Sequence, residues 1–151
     1  MKRDFDAAAT TAAPAAVFCA VAAVVAVPVA WAVAAAGYGV ATHEPLRDLA
    51  VLALWSLAEE IVFRGALQPA IARRFDRGAR FGITPANAVT SLVFAVLHLW
   101  RHPPLVALAV FPVSLVYGRA RELSGRVWPA ALLHVEFNGL LYAASWLRAA
   151  T

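Results

Sequence analysis

Residues 46–71 read LRDLAVLALWSLAEEIVFRGALQPAI, a run long and apolar enough for a membrane-spanning helix that nevertheless carries Glu59, Glu60 and Arg64 near its middle. A charged side chain at the bilayer centre costs at least about 2.5–3.5 kcal/mol on insertion scales, so three in one span require a reason. At 3.6 residues per turn Glu60 and Arg64, four apart, share a helix face and can pair, while Glu59 projects about 100° away. One carboxylate is neutralised and its neighbour is left over. If the helix ended in the headgroup region all three would be ordinary, but Ile61, Val62, Phe63, Ala66 and Leu67 continue the apolar run, and a basic border comes only at Arg73.

The rest of the chain repeats the pattern of long apolar runs. Hydrophobic residues make up 62% of the 151 and charged ones 15%, more apolar surface than a soluble domain of this size can bury. Five spans are expected, at about Ala15 to Ala36, Leu46 to Ile71, Pro85 to Trp100, Pro103 to Ala120 and Trp128 to Leu147. Because apolar stretches continue almost to the end, the first is expected to be an anchor and not a cleaved leader. Thr84-Pro85 fits an N-cap followed by a first-turn proline, and Trp128-Pro129 a similar start beside an interfacial aromatic. Pro28 and Pro112 fall inside spans, where membrane helices tolerate them. The expectation is an all-α polytopic membrane helix bundle with about five transmembrane helices and no repeat or soluble domain.

The net charge of +4 does not read as a nucleic-acid footprint, because the arginines lie between apolar segments without interleaved aromatics. Lys2, Arg3, Arg73, Arg74, Arg77, Arg80, Arg119, Arg121 and Arg126 fall in alternate connections, and Arg47, Arg101 and Arg148 in the opposite ones. The positive-inside rule then places the N-terminus inside and the C-terminus outside a bacterial cytoplasmic membrane. A single cysteine, Cys19, allows neither a disulfide framework nor a Cys-based zinc site within one chain, and reads as a small buried hydrophobe.

Two further spans carry pairs at i, i+4 spacing, Phe94 with His98 and His134 with Asn138. A lone histidine in an apolar helix is more often a packing residue than a ligand. Two of them together with adjacent acids shift that balance. An unpaired glutamate, two imidazoles and an amide can polarise water and stabilise the oxyanion formed when it attacks an amide. Other intramembrane proteolytic plans lack their residues. No HExxH string occurs, Asp4, Asp6, Asp48 and Asp76 lie in termini or loops, and Ser91 is about 10 Å along the helix from His98. Ser56, Ser91 and Ser114 read as helix-packing hydroxyls.

Glu59-Glu60-Ile-Val-Phe-Arg64 resembles the EExxxR motif of the CPBP (CAAX protease and bacteriocin-processing) intramembrane proteases, Phe94-Ala-Val-Leu-His98 their FxxxH, and His134-Val-Glu-Phe-Asn138 their HxxxN. The three occur in order, each in its own span. The resemblance implies a tail, first span and external loop over residues 1–48 and a four-helix catalytic core over 49–151. It implies Glu59 as the general base, acting with His98, Glu60 and Arg64 as a supporting pair beside Phe94, and His134 with Asn138 at the oxyanion. The implied partners are membrane lipid and a membrane-associated protein or peptide, such as a prenylated tail, a leader peptide or a C-terminal sorting anchor.

No cofactor is expected on this reading. The alternative is a zinc metalloprotease built on His98, His134 and a glutamate. A non-catalytic bacteriocin-immunity or scaffold protein, and a transporter subunit with Glu59 as proton carrier, are the readings from other classes. Two features resist assignment. His98 lies about 20 Å from the start of its helix and His134 about 9 Å from the start of its own, so tilt or a deeper start must bring them level. Glu136 points away from His134 and has no role.

Overall fold

The computed structural model describes residues 2–37, 45–75, 78–79 and 82–149, so Arg77 and Arg80 lie outside the described residues. Among these the chain folds into five helical rods and no strand. The first, α1 (Lys2–Ala35), starts well before Ala15, because Ala-rich sequence carries the helix back through the charged tail. The second is longer than one span needs. It comprises α2 (Pro45–Glu60), a π-helical segment (Ile61–Leu67) and α3 (Gln68–Arg74), which follow one another without a break.

Helix α4 (Pro85–His98) begins as its sequence predicts. Thr84 is extended (φ −83°, ψ 154°), its hydroxyl oxygen accepts from Asn87 N–H at 3.0 Å, and Pro85 occupies the first turn, where no donor is needed. Helix α5 (Pro104–Ser124) runs past Ala120 until Gly125 ends it in the left-handed region at φ 66°, returning its N–H to Arg121 O at 3.0 Å. Arg119 and Arg121 therefore lie in the final turns of a helix and not in a connection, as do Arg73 and Arg74 in α3. Cations in a last turn interact favourably with the negative end of the helix dipole, and Arg121 Nε also donates to Arg64 O at 3.2 Å. Helix α6 (Trp128–Ala149) closes the bundle.

Helix α6 packs against α1, α2 and α5, while α5 also receives α1 and α4, and α3 lies against α4. Small residues let these rods approach. Tyr117, Ala120, Ala130 and Leu133 form a buried cluster, lined by Phe18, Cys19, Ala22 and Ala23 of α1, so Cys19 sits among hydrophobes but is half-buried, not buried. Helices α4 and α5 approach closely at Gly118. A Cβ on Gly118 would stand 1.9 Å from Asn87 Oδ1, so glycine alone lets the amide reach Leu115 O (3.0 Å) while Ser91 Oγ donates to the amide oxygen (3.1 Å).

The outer surface is apolar. Leu46 (84% exposed), Val24 (72%) and Trp100 (92%) stand outside the core, while Glu60, Arg64, Asn87, Thr90, Ser91 and Ser114 are wholly inside. That inversion of the usual soluble pattern is what a hydrocarbon surrounding demands. Two stretches, Ala13–Ala35 and Pro104–Ser124, are long and apolar enough to cross a membrane.

Candidate active site

The π segment is what aligns the polar residues of the second rod. In an α-helix each step of four residues overshoots a full turn by about 40°, so Glu60, Arg64 and Gln68 would fan out over about 80°. A π turn, closed here by Gln68 N–H donating to Phe63 O, holds more residues and reduces that drift. All three side chains accordingly are buried, and both Arg64 and Gln68 reach α5. Arg64 Nη1 donates to Glu60 Oε1 at 2.8 Å, and Nη2 to Ser114 O (2.8 Å) and Ser114 Oγ (2.5 Å). Gln68 Nε2 donates to Gly118 O at 3.3 Å and Glu122 Oε1 at 3.1 Å, and Thr84 Oγ1 donates to the same Glu122 oxygen. The sequence spacing foresees the Glu60–Arg64 pair but not the π turn.

Aromatic rings complete the casing of the guanidinium. Arg64 Cζ lies 5.0 Å from the Phe94 ring centroid and 5.5 Å from that of Tyr117, within cation–π range. Phe94 also meets Phe63 edge-on at 4.8 Å, which fixes the ring at the junction of the two rods. Tyr117, buried in α5 and part of no sequence motif, stacks on His134 at 4.8 Å and 20°.

Antiparallel helices α2 and α6 are joined by two polar rungs one turn apart. In the first, His134 Nδ1 is 2.9 Å from Glu60 Oε1. A carboxylate can only accept, so Nδ1 carries hydrogen and Nε2 is the nitrogen left for chemistry. Nε2 lies 3.7 Å from Glu59 Oε2, and the Glu59 side chain is 34% exposed whereas that of Glu60 is fully enclosed. The two adjacent carboxylates thus have different surroundings, one locked between Arg64 and His134, the other beside an imidazole and open. In the second rung Asn138 Nδ2 donates to Ser56 Oγ at 2.9 Å. Ser56 in turn donates to Leu52 O at 2.8 Å.

His98 ends α4 and is held by Phe94, with Nδ1 2.8 Å from Phe94 O and the rings 4.5 Å apart. Phe94, one helical turn before His98, meets His134 edge-on at 5.8 Å between rings. His102, in the α4–α5 connection, stacks on His98 at 5.7 Å and 19°. Its pKa is lowered by desolvation first, then by His98 and Arg101, with Glu59 opposing. The four-residue spacing of His98 and His102 was the available sequence signal for that stack.

Among the described residues no three His, Cys, Asp or Glu side chains converge as a ligand set. A cavity of about 270 Å³ opens further along the bundle, among Gln68, Pro69, Phe75, Thr84, Arg121 and Glu122, away from Glu59 and His134. Glu136 is half-buried on α6.

No curated protein and no solved structure matches the chain. The family model for type II CAAX prenyl endopeptidase Rce1-like proteins matches residues 41–140, a range that holds Glu59, Glu60, Arg64, Phe94, His98, His134 and Asn138. The match spans the rods α2 to α5 and most of α6, and the chain belongs to the Rce1-like family of CAAX proteases.

Proposed function

We propose that this chain is an intramembrane endopeptidase in which Glu59 and His98 activate water and His134 and Asn138 bind the oxyanion. The observation that carries the proposal is the separation of two neighbouring carboxylates. Glu60 commits its Oε1 to Arg64 and His134, while Glu59 stays partly exposed beside His134 Nε2. A general base needs an accessible oxygen within reach of water, and Glu59 meets that condition. His98, with Nδ1 donating to Phe94 O, offers Nε2 as an acceptor to the same water. Water loses a proton to Glu59, its oxygen attacks the scissile carbonyl, and negative charge develops on the carbonyl oxygen. Asn138 donates a hydrogen there, as does His134 Nε2 when the ring carries its second proton. Collapse of the tetrahedral intermediate breaks the C–N bond, and the proton held by Glu59 passes to the leaving amine.

The substrate is a membrane-associated protein or peptide, with a prenylated tail, a leader peptide or a C-terminal anchor helix as candidate classes. Five membrane spans are proposed, with Glu59, His98 and His134 carried by the last four. On that topology a reporter fused after Thr151 is active only outside the cytoplasm. Cytoplasmic reporter activity overturns the five-span count.

Asn138→Ala in reconstituted protein is expected to lower kcat by about 100-fold to 1,000-fold with little change in substrate binding, because each oxyanion donor contributes about 2.7–4 kcal/mol. Asparagine is not a usual zinc ligand, so a zinc enzyme would tolerate the change well. Stoichiometric zinc in active protein, lost with activity in His98→Ala, together with restoration of chelated wild type by added zinc, defeats the glutamic mechanism.

A further inference from the structure

We propose that Ser56 is a positioning residue, one that sets which atom of the Asn138 amide faces the reacting carbonyl; this rests on the oxyanion reading given above. The terminal torsion of asparagine is broad, and rotation by about 180° exchanges a donor for an acceptor at nearly the same position. A site that needs N–H at one point must therefore fix the rotation. Ser56 favours one rotation through its own hydrogen bonds. Its hydroxyl has a single hydrogen, and that hydrogen is given to Leu52 O at 2.8 Å. Towards α6 the oxygen therefore presents lone pairs, and only the NH2 end of Asn138 can meet it, at 2.9 Å. Amide oxygen in that place would set two acceptors against each other. Ser56 is 1% exposed, so solvent cannot supply a substitute partner.

One amide hydrogen is used on Ser56, and the other is left to donate to the oxyanion. The placement follows from helix register. Ser56, Glu60 and Arg64 are four apart along the second rod, and His134 and Asn138 four apart along α6, so the two rungs lie side by side. The first rung orients the imidazole, and the second orients the amide. Ser56 belongs to none of the sequence motifs, and its hydroxyl reads as helix packing until its partner on α6 is known.

The test combines kinetics with a spectroscopic measurement on the full chain in proteoliposomes. Ser56→Ala is expected to lower kcat about tenfold with KM within about twofold, since a misplaced group costs rate and not binding. Ser56→Thr, which keeps the hydroxyl, restores most of the rate. In an Asn138→Ala background Ser56→Ala has no further effect, because there is no amide left to orient. The side-chain 15N–1H signals of Asn138, sharp in the wild type, broaden or shift in Ser56→Ala. An equal loss of kcat with and without Asn138, or unchanged amide signals in Ser56→Ala, overturns the proposal. Wild-type kcat in Asn138→Ala instead overturns the oxyanion reading itself.

Discussion

Glu59→Gln is expected to lower peptide cleavage by about 10²–10⁴-fold while leaving the fold intact. Glutamine keeps the shape and one acceptor oxygen of glutamate but cannot take a proton from water. The Glu59 side chain is 34% exposed and lies at ion-pair distance from a single described group, His134 Nε2 at 3.7 Å, so few structural contacts depend on its charge. Loss of rate should therefore come without loss of stability. The measurement is turnover of a membrane-embedded reporter peptide in proteoliposomes, with thermal unfolding of the same sample in detergent as the control. Near-normal turnover in this variant sinks the assignment.

Glu60→Gln should show the opposite balance, a loss of stability of the order of 3 kcal/mol, since removing one member of a buried ion pair strands the other. The Arg64 and Glu60 side chains are both fully enclosed, and among the described residues Arg64 Nη1 has no other acceptor in place of Glu60. The amide oxygen of the substituted side chain can still accept from His134 Nδ1, so some of the orientation of the imidazole survives. The expected sign is a lowered midpoint of unfolding, with residual cleavage in whatever fraction remains folded. A Glu60→Gln protein of wild-type stability but without activity would exchange the roles of the two glutamates.

The Glu60–Arg64 pair could be read from sequence because it depends on local geometry alone, a four-residue spacing within an apolar helix where an isolated charge is costly. The same reasoning separates Glu59, one residue and about 100° away. The Thr84 cap is likewise local, as are the start of α4 at Pro85 and that of α6 at Trp128-Pro129. What spacing cannot reveal is which helix lies opposite. That Ser56 meets Asn138, that Ser114 receives Arg64, and that Tyr117 stacks on His134 all depend on the packing of rods distant in sequence. The ends of α3 and α5 depart from the sequence expectation for another reason. Arginine is a good helix former, and its charge marks an interface without ending the helix there. The position of His98 is a third kind of case, since its depth depends on how α4 sits against α5, through the contact of Gly118 with Asn87.

The π segment decides where the second rod can lose a residue, in a way that its lipid-facing composition conceals. Ile61 and Val62 are each more than half exposed, so either should accept another apolar residue with little effect. A π turn is equivalent to an α-helix with an extra residue, and a single deletion between Gly65 and Leu67 would restore ordinary α geometry. Everything downstream would keep its direction relative to Glu60, whereas the same deletion in a regular α-helix turns it by about 100°. Gln68 would stay aimed at Gly118 and Glu122, and the contact of α3 with α4 would survive with it. Loss of a residue from the α-helical turns on either side would swing the downstream half of the rod off its partners.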